Sequence, residues 1–273
     1  YQWYSNTSNS NSGGTPVGSD QSTYTPPIDN STAGIYYYYV VVSSDCGTDV
    51  PSSVATVTVN PLPTATLSYS GASTICSGTT ANLTITFTGT APFSLTYNDG
   101  TNHTISGINT NPYTLVVTPT FPNTTYTLIS VSDANCNNSA SGSATINVYG
   151  TTITSGACAS CASPVTVCAG ANPNSFSVGA PSGGDGNYTY QWQESAGCSG
   201  TWVNATAQDG ITNTLSFNPP ALSQSICYRL QITDGCGNAG YSDTKTYNVV
   251  PDPVSPTINP TPADGTAVCV GAS

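Results

Sequence analysis

Apolar and polar residues alternate through much of this chain. Leu83, Ile85 and Phe87 are separated by threonines, and Phe93, Leu95 and Tyr97 repeat the pattern after a short break. A period of two places alternate side chains on opposite faces of a strand, so each run predicts a strand with one buried face. Asn98-Asp99-Gly100 is hairpin-turn chemistry. Further strands are predicted at Pro112–Val117, from Tyr126, and at Thr145–Val148. No stretch sustains the 3.6-residue period of a helix. Roughly seven short strands in a unit of this length, with frequent turns, predict an all-β chain of immunoglobulin-like sandwiches.

One segment is written three times. Tyr38 opens an apolar alternation that ends at Asp45 and Cys46 and closes with Thr56–Val59. Tyr126 does the same through Asp133 and Cys136 to Val148, and Tyr228 through Asp234 and Cys236 to Val249. Tyr1-Gln2-Trp3 recurs as Tyr190-Gln191-Trp192. Self-similarity at a near-constant period predicts a tandem array. Proline-marked junctions then divide the chain into 1–60, the second half of one domain; 61–149, a complete unit; 150–250, a second unit with six cysteines; and 251–273, the start of a fourth. Trp3 and Trp192 fall where this fold buries a tryptophan on its third strand. With Tyr38, Tyr126 and Tyr228 they are the expected core aromatics.

Charge narrows the function. Lys and Arg number 2 against 13 Asp and Glu, a formal net charge of −11. That excludes nucleic acid as a natural partner and excludes a polybasic membrane contact. The longest apolar run, Ile35–Val42, is too short to span a bilayer. Ten cysteines in such a chain point to an oxidising, extracellular compartment and to disulfides.

Cys198 follows the Trp192 strand and Cys227 begins the Tyr228 strand. Antiparallel pairing of those strands brings the two together, which predicts a Cys198–Cys227 bond. Cys158 and Cys161 form Cys-Ala-Ser-Cys. No helix is evident to lower a thiol pKa and no fourth zinc ligand accompanies Cys168, so a local disulfide is expected. Two pairings remain open for the repeating cysteines. Cys76–Cys136 and Cys168–Cys236 would close within units. Cys76–Cys236 would join neighbours and would avoid linking opposite ends of one sandwich. Cys46 and Cys269 are expected to find their partners outside the segment.

His103 is the only histidine, so any Ser/His/Asp or Cys/His system would have to use it. Its place beside Asp99-Gly100 reads as a turn. No catalytic residue and no metal ligand set is expected. The Asp-Gly pairs at Asp99, Asp185, Asp209 and Asp234 are turn chemistry. No Asp-x-Asp spacing supports a calcium site, and no cofactor is expected; a calcium ion, if bound, belongs near a junction. Lys245 is the only lysine, which nearly removes a Lys–Asn isopeptide from consideration.

Gly89–Gly100 followed by Ser132-Asp133-Ala134-Asn135-Cys136 resembles the repeat of the SprB gliding-motility adhesins. Tyr1–Ser5 with Tyr24–Pro27 resembles the Ig-like modules beside it, so the chain is similar to the tandem Ig-like and PKD-like repeats of large Bacteroidota surface proteins. The resemblance implies type IX secretion, display at the bacterial cell surface, and adhesion or gliding, without catalytic residues. The six-cysteine unit departs from its neighbours. The expected role is a non-enzymatic stalk segment of a giant adhesin, its partners being the neighbouring domains of the same chain. Alternatives are a glycan-binding module, marked by an exposed aromatic platform, and an extracellular filament built from copies of itself.

Overall fold

Every regular element among the described residues is a β-strand. The computed structural model describes residues 1–18, 20–27, 32–161 and 164–253; Cys269 lies outside them. Two units divide between Val148 and Tyr149.

The first unit begins with a five-stranded sheet. Thr15–Val17, Gln2–Asn6, Gly34–Val42 and Val50–Pro51 are neighbours in that order, and Ala55–Val59 also pairs with Gly34–Val42. Two further sheets follow. One places Tyr113–Val117, Ala81–Thr88 and Thr64–Ser68 side by side. The other runs Asn102–Ile108, Phe93–Asn98, Asn123–Ser132, Ser143–Val148 and Thr74–Ile75, with Asn137–Ser139 paired to Asn123–Ser132. This is the two-sheet arrangement of an immunoglobulin-like sandwich. Its core is the set the alternation predicts: Leu83, Ile85 and Phe87 from one sheet meet Phe93, Leu95, Tyr126 and Leu128 from the other. Phe87 and Phe93 stack with ring centroids 4.6 Å apart.

The second unit repeats the frame. Val165–Cys168, Lys245–Val250, Ile226–Asp234, Tyr188–Ala196 and Val203–Asn204 form its main sheet, with Ala239–Tyr241 paired to Ile226–Asp234. Phe176–Ser177 and Ser216–Phe217 face it as a short pair. In both units a strand runs parallel to the last one, Ile75 beside Val148 and Val167 beside Val249.

Strand register exposes the repeat more fully than the letters do. Trp3 pairs with Val40, Tyr97 with Leu128, and Trp192 with Leu230, each partner lying two residues after the repeated tyrosine. Tyr97 therefore stands where the other copies have tryptophan. A register shift between Leu128 and Ser130 lets the longer strand of that copy keep Val131 buried as well.

The core aromatics divide. Trp192, Tyr126 and Tyr228 are fully buried. Trp3 and Tyr38, expected in a core, are only half-buried. They stand on one face of a single sheet, packed with Tyr24, 5.8 Å from Trp3 and 6.1 Å from Tyr38. The buried tyrosine of that strand is instead Tyr39, on the opposite face, stacked on Tyr4 at 5.0 Å and accepting a hydrogen bond from the Gly14 amide.

Tyr228 carries a cost. Its hydroxyl is buried and has no hydrogen-bond partner among the described residues. Burial, then the nearby Glu194 carboxylate and Tyr247, push its pKa well above the ordinary tyrosine value. An unsatisfied buried hydroxyl costs about 1–3 kcal/mol. Tyr228→Phe is therefore expected to leave stability unchanged or to raise it by about 1 kcal/mol, read as a rise in the chemical denaturation midpoint. A clear loss would mean that the hydroxyl has a partner in solution.

Candidate functional site

The most chemically loaded positions of the repeat are its aspartates, and two of the three, Asp133 and Asp234, tie two turns together. Asp133 accepts hydrogen bonds from the amides of Thr90 (2.9 Å), Asn135 (2.8 Å) and Cys136 (2.7 Å). Thr90 is 43 residues away in sequence, at the corner before Phe93–Asn98. Gly89 permits the approach. It has φ 118°, and a Cβ there would lie 2.5 Å from the Asp133 carboxylate. Asp234 rebuilds the clamp in the second unit. It accepts from the amides of Asn238 (2.7 Å) and Asp185 (3.3 Å), while Asp185 accepts from Asn187 (2.9 Å) and Gly235 (3.0 Å). Asp45, in the first copy, is exposed and holds no such bond among the described residues.

The clamps lower the pKa of each carboxyl. Backbone hydrogen bonds from Thr90, Asn135 and Cys136 hold the Asp133 carboxyl below its ordinary 3.8. At Asp234 burial works the other way, and the Asn238 bonds outweigh it. Asp185 is lowered first by the Asn187 amide. A depressed folded-state pKa gives stability that is complete above the unfolded value and is lost as pH falls through the folded value. Thermal stability should thus be flat from neutral pH to about pH 5 and fall below the ordinary carboxylate range. Asp133→Asn should lower the melting temperature at pH 7 and blunt that acid-induced fall. An unchanged acid profile would contradict the clamp.

His103 is held within its turn. Its Nε2 lies 2.9 Å from Asp99 Oδ1 and 3.0 Å from Thr101 Oγ1, and its ring stacks on Tyr97 at 5.0 Å. A catalytic relay uses the two ring nitrogens on two different partners. Here one nitrogen meets both, which closes a turn, and among the described residues no side chain bonds the other nitrogen. Burial raises the Asp99 pKa, but the His103 and Thr101 contacts bring it below its ordinary value.

The cysteines separate into bonded and free. Cys198–Cys227 is a disulfide with Cα atoms 5.1 Å apart, formed beside the cross-strand pair Ser195–Cys227. Cys158–Cys161 is a local disulfide with Cα atoms 5.3 Å apart. The buried Lys245 donates its ammonium to the Ser160 carbonyl inside that loop, and its Nζ lies 5.6 Å from the Tyr247 ring centroid. Cys76 and Cys236 are each disulfide-bonded. Cys46, Cys136 and Cys168 are free thiols. Neither within-unit pairing, Cys76–Cys136 or Cys168–Cys236, therefore forms. Cys76 follows Ile75, beside the end of Ser143–Val148, whereas Cys136 lies beyond the far end of the ten-residue strand Asn123–Ser132. At ~3.3 Å per residue that strand separates the two by roughly 30 Å, against the ~7 Å limit of a bridged pair. Cys168 and Cys236 lie at opposite ends of Ile226–Asp234 in the same way.

One cluster is not signalled by the repeat. Arg229 points to the outer face of the second unit's main sheet, between Trp202 and Tyr241. Its guanidinium carbon is 4.2 Å and 4.0 Å from the two ring centroids. Its Nε donates to Gln193 Oε1 at 2.9 Å, and Gln193 Nε2 donates to Gln231 Oε1 at 2.8 Å. Among the described residues no carboxylate pairs with it. The outward parity of Arg229 between Tyr228 and Leu230 was legible in the sequence. Trp202 and Tyr241 come from other strands' surroundings and were not.

Comparison with known proteins finds one family match and several similar solved structures. A family described as "Domain of unknown function (DUF8696)" matches residues 157–251, the six-cysteine unit. No curated protein matches the chain. Similar solved structures include one from a study of host cell surface retention of a 1.5-MDa bacterial ice-binding adhesin, 15% identical, covering 80% of this chain and 75% of that one at a TM-score of 0.39. Domains A168–A170 of titin are 14% identical over 89% of this chain and 86% of theirs, TM-score 0.33. A tetra-tandem repeat in the extending region of a large adhesion protein is 16% identical over 79% and 57%, TM-score 0.27.

Proposed function

We propose that the chain is a load-bearing, adhesive stalk segment of a large extracellular surface protein and performs no catalysis. One observation carries the reading. The same sandwich frame, with the same aspartate clamp across its corner, is built twice from different residues. The groups that could do chemistry are used to hold turns: Asp133, Asp185 and Asp234 bind backbone amides, His103 binds Asp99, and Lys245 binds a carbonyl. Investment in turns and staples suits a device that transmits force outside the cell. The resemblance of the repeat to SprB-type adhesins extends the proposal to export by type IX secretion and to surface adhesion or gliding motility. A glycan-binding module is the second reading, favoured by the aromatic rings around Arg229.

The stalk reading is tested by placing the 273-residue chain between an adhesive head and a bead, and timing detachment under flow. His103→Ala and Asp99→Ala should leave bond lifetime unchanged, and Cys198→Ala should shorten it. A hydrolytic activity lost in His103→Ala would overturn the reading.

A further inference from the structure

The outer face around Arg229 has the composition of a ligand site. The chain carries two Lys and Arg in total. Lys245 is buried and committed to Ser160. Arg229 is left as the one half-exposed basic side chain on a protein of net charge −11. A guanidinium has five N–H donors in a planar fork suited to bidentate recognition of a carboxylate. Among the described residues only the Nε hydrogen of Arg229 is used, by Gln193. The Nη hydrogens have no partner among the described residues. Trp202 and Tyr241 hold the plane of the fork, and cation–π contact with two rings fixes its direction without consuming its donors.

The surroundings specify the rest of the ligand. Gln193 and Gln231 offer amide groups on the same face, in a hydrogen-bonded pair whose remaining lone pairs and N–H groups suit hydroxyls. Tyr241 is 46% exposed, so part of its ring is open to the C–H face of a sugar. The face is an open sheet surface, which fits an extended chain better than an enclosed small molecule.

We propose that Arg229, Trp202, Tyr241, Gln193 and Gln231 form a binding site for a carboxylated saccharide, the sugar acid seated on the Arg229 fork and its ring and hydroxyls on the aromatic and amide groups. This site is independent of the stalk reading: a stalk can carry it or lack it.

Calorimetric titration of the 273-residue chain tests the proposal. The probes are oligogalacturonate, hyaluronan oligosaccharide and sialyllactose, with methyl-esterified oligogalacturonate, lactose and dextran sulfate as controls. At least one carboxylated probe should bind, and its neutral counterpart should not. Arg229→Lys keeps the charge but loses the fork, and should weaken binding at least tenfold. Tyr241→Ala should weaken it several-fold. Gln193→Glu leaves Arg229 in place but supplies an internal carboxylate, and should block binding while the melting temperature stays level or rises. The proposal is overturned if no carboxylated probe binds, if neutral sugars or dextran sulfate bind as well as the acids, or if Arg229→Lys and Gln193→Glu retain full affinity.

Discussion

Trp192→Ala is expected to be the most damaging single substitution in the chain. Trp192 is fully buried, its ring lies 5.2 Å from both Phe176 and Phe217, and its Nε1 donates to the Thr214 carbonyl at 2.8 Å. Removing such a side chain costs about 3–5 kcal/mol through lost burial and the cavity left behind. A domain's whole stability is about 5–15 kcal/mol. The second unit should therefore lose a large share of its stability, seen as a marked fall in its denaturation midpoint. Trp3→Ala supplies the contrast. Its half-buried ring touches Tyr24 and donates to the Gln21 carbonyl, so its loss should cost distinctly less. Equal losses at the two sites would contradict the division between buried and half-exposed aromatics.

The second large effect belongs to Cys198–Cys227. The bond closes a loop of sequence separation 29. Loop-closure entropy for that length is worth about 3–4 kcal/mol. Cys198 also sits at φ 54°, a left-handed conformation that a non-glycine residue adopts at a cost, and the bond helps hold it there. Joint replacement of Cys198 and Cys227 by alanine should lower the second unit's midpoint by that amount and leave the first unit untouched. A melting profile identical to the parent would mean that the loop is held by its other contacts alone.

These expectations show what kind of information the sequence carries. Alternation located the faces of Ala81–Thr88 and Phe93–Asn98, because strand parity fixes which side chains point inward. The closeness of Cys198 to Cys227 followed from antiparallel pairing, which is again a local rule extended across two strands. Parity says nothing about what covers a face, so it could not show that Trp3 and Tyr38 pack against Tyr24 on a single sheet while Trp192 lies between two. The repeated Asp could be read as a turn residue. Its bond to Thr90, 43 residues away, depends on how two corners meet in space. The cysteines show the same limit. Spacing suggested pairs, and strand length excluded Cys76–Cys136 and Cys168–Cys236, because each pair sits at opposite ends of a nine- or ten-residue strand. Arg229 was visible as a scarce cation, but its rings come from Trp202 and Tyr241, which no periodicity connects to it.

The proposed stalk role requires the chain to bear load through separately folded sandwiches. Single-molecule stretching of the 273-residue chain, with Cys76 and Cys236 replaced by alanine so that no other long-range disulfide shields the loop from force, compared with the same chain further changed to Cys198→Ala/Cys227→Ala, tests this most directly. Separate unfolding events are expected for the units. In the variant one event should lengthen by about 100 Å, the extension of the released loop at ~3.5 Å per residue, while the others keep their length. A single all-or-none event spanning the chain, extension without force peaks, or step lengths identical in parent and variant would contradict the account.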